Sequence, residues 1–214
     1  MIRRLLLVLL FAAPLEAATP LEGRTIALDP GHGTIDYQGR IINPGKGTHD
    51  GRAVEHQLTF QMAQKLGKLI EEKGGRVIYT RTPFDYWRIA ASNTEDNKAR
   101  ALWANELKAD VFISIHCDWH PRSRTHGATT YYKTPESRRL GSEIQTRMVK
   151  QLKAFNRQLK QDSYTVLDVA AMPAVLVETG YLSNRAEAKK LMSPTYQKKI
   201  AEAIASALSS YFSN

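Results

Sequence analysis

A single cysteine, Cys117, among 214 residues excludes an intramolecular disulfide, so packing must hold the fold, with a metal as the aid left open. Long apolar runs are missing too, and no stretch approaches the roughly 20 residues that a membrane-spanning helix needs. The one concentrated run, Leu5 to Ala13, follows Arg3 and Arg4 and precedes Leu15-Glu16-Ala17. Those three features read as a signal peptide over residues 1–17, cleaved after Ala17. The run is apolar all round, which argues against an interfacial anchor, and no cysteine follows it to carry a lipid. The expectation is an exported protein, periplasmic or extracellular, with no stable membrane anchor. Repeats, low-complexity linkers and the marks of a second domain are absent, so residues 18–214 read as one domain. Acidic residues are in deficit, 21 against 30 basic ones, for a net charge of +9. Such a balance favours anionic polymers as partners. The cations are spread along the chain and no nucleic-acid motif appears, so nucleic acid is not expected.

What the sequence does contain is organised around Thr25 to Gly33, TIALDPGHG. An apolar run, read as a strand buried on both faces, is stopped by Pro30 and Gly31 and presents His32 on a tight turn. Glycines on both sides of His32 leave room for a group to approach the imidazole. Alone, a histidine in such a turn reads as a solvated turn residue. Its weight comes from Glu55, His116 and Glu178.

Thr34 to Arg52 has no apolar period and reads as a long, functional loop. Glu55 opens a helix whose stripe is Leu58, Met62, Leu66 and Leu69, ended by Gly74-Gly75. Arg76 to Arg81 reads as a strand, Thr82 to Asp96 as a loop carrying Phe84, Tyr86 and Trp87, and Asn97 to Leu107 as a helix. A third strand, Ala109 to Ile115, precedes His116, and a fourth spans Gly127 to Tyr132. Thr134 and Pro135 start a helix with the stripe Leu140, Ile144, Met148, Leu152 and Phe155. Tyr164 to Leu167 reads as a short strand and Pro173 to Val177 as a clear one ending in Glu178. Asn184 with Glu187 makes a capping box, and Ser193-Pro194 begins the last helix. This alternation predicts a single α/β domain, its mixed, mainly parallel sheet flanked by helices on both faces.

In such sheets sites form at the carboxyl ends of strands, where His32, His116 and Glu178 should line one edge. Glu55 reaches the same edge from the first turn of its helix. Two imidazoles and a carboxylate form a catalytic zinc set with a fourth position for water, and the second carboxylate can then act as general base. Blander readings stand beside this one. Glu55 alone is an acidic first-turn residue, and His116 alone is as well explained as a core histidine. Glu178, ending an apolar strand, needs a partner. His49, His56, His120 and His126 read first as surface residues, with His56 and His126 second as substrate contacts. Cys117 should face away from His116, into the core. The aromatic group in the 82–96 loop reads equally as loop packing or as a cleft wall.

Taken together, LDPGHG, the helix-opening Glu55, ADVFISIHCD and MPAVLVETGYLSN resemble the zinc-dependent N-acetylmuramoyl-L-alanine amidases, the Amidase_3 family. The likeness covers nearly all of residues 18–214. It implies a zinc ion held by His32, Glu55 and His116, with Glu178 as the catalytic carboxylate. It also implies hydrolysis of the amide between the lactyl group of N-acetylmuramic acid and L-alanine of the peptidoglycan stem peptide, by a zinc-bound water. Departures from the family pattern are Thr34 for a second glycine, Cys117-Asp118 for Ala-Asn, and Asp168 near an often basic position. Lys133 to Met172 holds one amphipathic helix and a loop, so the site is expected to be open. The alternatives are a zinc peptidase acting within stem peptides and a non-catalytic wall-binding domain. Peptidoglycan is the expected partner, with an activator protein left unidentified.

Overall fold

The computed structural model describes residues 19–36, 38–81 and 92–213. The signal-peptide reading of residues 1–17 and the aromatic group Phe84, Tyr86 and Trp87 lie outside them. In chain order the first half forms β1 (Thr25–Pro30), β2 (Thr34–Ile35), β3 (Ile41–Asn43), α1 (Glu55–Glu71), β4 (Arg76–Tyr79) and α2 (Asn93–Glu106). The second half forms β5 (Val111–Asp118), β6 (Ala128–Tyr132), α3 (Pro135–Leu152), β7 (Asn156–Gln161), α4 (Thr165–Val169), β8 (Ala174–Tyr181), α5 (Arg185–Leu191) and α6 (Pro194–Ser213).

Six strands pair in the order β4-β1-β5-β8-β6-β7. All neighbours are parallel except β6 and β8. The expected single α/β domain with a mixed, mainly parallel sheet is therefore the one observed. Side chains alternate between the two faces, as a period of two requires. Ile26, Leu28, Val111, Ile113, Ile115, Val175 and Val177 meet α1, α3 and α6. Ala27, Phe112, Ala174 and Leu176 turn the other way, toward Ala104 of α2 and Val166 and Leu167 of α4. Cys117 falls on the first face, buried and free, opposite to His116 as its position in the strand requires. No described helix is long and apolar enough to cross a membrane.

Several boundaries differ from the sequence reading. Helix α2 starts at Asn93 rather than Asn97, because the Ser92 hydroxyl accepts from the Glu95 N–H at 3.2 Å and caps it. The Thr34–Arg52 stretch contains the small β2–β3 ribbon. The polar segment after α3 is the edge strand β7, which needs no apolar run because it is largely exposed. Tyr164 to Leu167 is not a strand: the segment turns into α4, whose β-branched residues Thr165, Val166 and Val169 mimic a strand. Helix α3 stops at Leu152, where Lys153 adopts φ 53°, so Phe155 leaves the stripe and is exposed. Asn184 does cap α5, accepting from the Ala186 and Glu187 N–H groups. The Glu187 carboxylate, however, accepts from the Gly127 and Tyr181 N–H groups rather than closing a capping box.

Candidate metal centre

His32, Glu55 and His116 come together although 84 positions of sequence separate the first from the last, and one ligand atom from each lies within 4.8 Å of the others. The Glu55 carboxylate sits between the rings, Oε2 3.0 Å from His32 Nε2 and Oε1 3.0 Å from His116 Nδ1. The Cys117 N–H donates to Oε1 at 3.0 Å and the Lys46 N–H to Oε2 at 3.2 Å. Each carboxylate oxygen is thereby aimed. On the far side of its ring, His32 Nδ1 lies 2.9 Å from Asn43 Oδ1. Since that oxygen can only accept, Nδ1 carries a proton, which leaves Nε2 as the ring nitrogen able to ligate a metal; in the arrangement seen here Nε2 donates to the Glu55 carboxylate. The imidazole rings stand nearly perpendicular, with centroids 5.0 Å apart.

Two glycines make this approach feasible. A Cβ on Gly31 would lie 2.2 Å from the His116 ring, and one on Gly45, at φ +76°, would lie 2.6 Å from Glu55 Oε2. The space beside His32 on the Gly31 side is thus taken by the second imidazole, not left for an outside group. His32 itself has φ 82°, a left-handed conformation that a side-chain-bearing residue adopts only when its surroundings impose it. Those surroundings are two arginines. Buried Arg100 donates to the carbonyls of Pro30 at 3.0 Å and His32 at 2.8 Å, and Arg81 donates to Pro30 at 2.8 Å and to His56 at 2.7 Å. Arg100 is in turn held by Asp29 and Asp96, and Asp29 also accepts from Thr80 and Ser114.

Glu178 stands beside His116 in the β5–β8 register. Neither His116 nor Glu178 terminates its strand, since β5 runs on to Asp118 and β8 to Tyr181. Glu178 is partly buried as a residue, while its Oε2 is closed off and has no hydrogen-bond partner. With His32, His116, Asn43, Tyr164 and Leu176 it lines an open cavity of about 380 Å³. Burial, reinforced by the charges of Glu55 and Asp118, pushes its carboxyl well above the usual range. Glu55 goes the opposite way: burial alone would raise it, but hydrogen bonds from His116 and His32 outweigh that and hold it ionised. Burial works against protonation of His32, yet the hydrogen bond and charge of Glu55 raise its pKa.

The donor set therefore fits a zinc ion. Two imidazole nitrogens and one anionic oxygen converge, and ligand bonds of about 2.0–2.1 Å ask for donor separations of roughly 3.4 Å. The other histidines lie elsewhere. His49 and His126 are exposed, His56 lies against the Pro44 carbonyl, and His120 accepts from the Arg122 N–H. Asn43, Arg81, Arg100 and Asp29 escaped the sequence reading. Asp29 gave the one available signal, a carboxylate closing the apolar run TIAL.

Residues 26–210 match the family model described as N-acetylmuramoyl-L-alanine amidase. The Probable cell wall amidase LytH of Staphylococcus epidermidis is 31% identical over 198 residues, 92% of this chain and 62% of its own length. The chain thus spans less than two thirds of that relative. Among solved structures, the CwlD amidase from Clostridioides difficile in complex with the GerS lipoprotein is 33% identical, with TM-score 0.78 over 89% of this chain and 98% of that one. The catalytic domain of CwlV from Bacillus (Paenibacillus) polymyxa, an N-acetylmuramoyl-L-alanine amidase, aligns with the same TM-score at 26% identity, over 89% and 98% of the two chains.

Proposed function

This chain belongs to the N-acetylmuramoyl-L-alanine amidase family, Amidase_3, and on that premise we propose that it hydrolyses the amide joining the muramic lactyl group to L-alanine of the stem peptide. In this reading His32, Glu55 and His116 hold zinc and Glu178 transfers the proton. The observation that carries it is the Glu178 carboxylate, unpartnered at Oε2 and set on the wall of the cavity that His32 and His116 also line.

When bound, zinc supplies Lewis acidity, which polarises an amide carbonyl and lowers the pKa of water toward about 7. The remaining work belongs to the chain. Asn43 keeps the proton on His32 Nδ1, and the Cys117 and Lys46 N–H groups keep both Glu55 oxygens in place. Glu178 lines the cavity beside His116, where its carboxylate can accept a proton from the attacking water, and its raised pKa lets it hold that proton until the departing amine takes it. Tyr164 and Leu176 give the cavity apolar surface against which a substrate can exclude solvent.

Substrate in the wall implies action outside the cytoplasm, in keeping with the signal-peptide reading. The CwlD–GerS complex supports a protein partner for this chain as well. The deciding experiment is mass spectrometry of products from purified peptidoglycan, with zinc and after chelation. Zinc-dependent release of intact stem peptides with a free amino-terminal L-alanine is the expected result. Truncated peptides would show a stem-peptide peptidase instead, and no release by zinc-loaded protein without a partner would defeat the reading for the isolated chain.

A further inference from the structure

A second concave site lies on the same edge of the sheet, near the start of β7. Strand β6 runs against β8 with Thr129 opposite Glu178, and Ala128 pairs with Asn156 at the start of β7. From β5 to β7 is three strand spacings, roughly 14 Å at about 4.8 Å each. Here the loop after β5 and the first residues of β7 border a shallow, open hollow of about 390 Å³. Arg122, Arg124 and Arg157 line it, with His120, His126 and Phe155, and no acidic side chain does.

The three arginines differ from five others in how they are partnered, and all three line one hollow. Arg24, Arg40, Arg52, Arg100 and Arg147 each pair with a carboxylate. Among the described residues no carboxylate lies in ion-pair range of Arg122, Arg124 or Arg157. Arg157 also has a buried Nε with no hydrogen-bond partner, and its guanidinium lies over the Tyr181 ring at 5.3 Å. The neighbouring carboxylates are committed to the backbone. Glu187 accepts from Gly127 and Tyr181, and Asp118 accepts from the Trp119 N–H. Converging like charges repel one another, so three unpaired guanidinium groups around one hollow call for an anion. Their planar forks suit phosphate oxygens.

The hollow has a basic neighbour. The Asn184 side chain donates to the Ser123 carbonyl, tying this loop to the start of α5. Along α5, Arg185 and Lys189 line a second cavity of about 530 Å³, together with Asp50 and Arg52, which pair with each other. A single carboxylate would leave most of these cations unmatched, whereas a chain of repeated phosphates would match them in sequence.

We propose that Arg122, Arg124 and Arg157 form a binding site for an anionic phosphodiester polymer, which continues along Arg185 and Lys189 and holds the protein beside the wall. The site uses no residue of the metal centre, so it stands or falls separately from hydrolysis.

The test measures binding of soluble poly(glycerol phosphate) and of inorganic phosphate to the full chain over a salt series. Polymer should bind far more tightly than inorganic phosphate, and the R122Q/R124Q/R157Q variant should lose about tenfold or more in affinity with a shallower salt slope. Because Arg157 packs on Tyr181, R122Q/R124Q serves as a second variant: both side chains are exposed loop residues, and it should keep the wild-type unfolding transition and hydrolysis of a soluble muramoyl-peptide. A control that removes equal charge from exposed positions elsewhere, K68Q/K98Q/K199Q, should bind within about twofold of wild type. Equal weakening by the control would mean that net charge alone attracts the polymer, overturning the site. Competition by free stem peptide would overturn it too, by making the hollow a substrate subsite, as would polymer binding no tighter than inorganic phosphate.

Discussion

Two carboxylates, Asp29 on β1 and Glu178 on β8, lie on the same face of the sheet on either side of β5, and their surroundings are opposite. Asp29 is 1% exposed, and both its oxygens are engaged, by Arg100, Thr80 and Ser114. Although burial pushes the Asp29 carboxyl upward, the Arg100 charge and the two hydroxyls bring it down to about 2. Glu178 has an oxygen with no partner, and burial drives it the other way. A fully satisfied buried charge fixes a backbone, here the His32 turn. A half-satisfied one is costly to keep and available for proton transfer.

The largest expected effect comes from breaking the satisfied side. Arg100→Met leaves Asp29 buried without its cation and should cost about 3–5 kcal/mol in urea unfolding, with hydrolysis lost as the His32 turn relaxes. A loss below about 1 kcal/mol would mean that the pair does not hold the frame. Next is Glu178→Gln, which keeps the shape and removes the titratable carboxylate. Hydrolysis should fall by roughly 10²–10⁴ while zinc binding, measured by titration, stays within a few-fold of wild type. Retained hydrolysis would remove Glu178 from the chemistry.

The two carboxylates should also separate in pH. Asp29 has a folded pKa below its unfolded one, so it stabilises the fold above pH 4, by about 2 kcal/mol, and loses that contribution as pH falls toward 2. Glu178 is raised, so the folded state binds its proton more tightly than the unfolded state does. Its contribution is present below the unfolded value near 4.5 and is lost as pH rises through the higher folded value. Metal-free protein should therefore gain stability from pH 2 to about 4 and lose some above about 4.5, and Glu178→Gln should flatten only the second limb. The smallest effect belongs to the link between the two regions. Asn43→Ala frees the His32 tautomer and should weaken zinc binding by about 10–100-fold without moving the unfolding midpoint by more than about 1 kcal/mol.

The same contrast explains what could be read in the amino acids beforehand. His116 and Glu178 each follow directly on an apolar run, His32 lies on the turn that ends one, and Glu55 follows a loop at the head of a regular stripe. Strand period and helix period are local signals, and they delivered these four residues to one edge. The satisfied network has no such signature. Asp96 and Arg100 are four apart on a helix, a spacing that ordinarily marks an exposed pair, and nothing local distinguishes a buried one. Asn43 meets His32 only through the β2–β3 ribbon, whose strands of two and three residues are too short to show a period. Likewise β7 carries no apolar run, because an edge strand need bury little.

The position of β8 bears on when the protein becomes active. This strand is the last of the six to leave the ribosome, yet it lies in the middle of the sheet, between β5 and β6. Until residue 181 has emerged, β5 and β6 have no common neighbour and Glu178 is not beside His116. Folding thus waits on a distant segment, which slows it. It also means that a nascent or truncated chain carries His32, Glu55 and His116 without Glu178 beside them, so the cavity that these residues line is assembled only once nearly the whole polypeptide has been delivered.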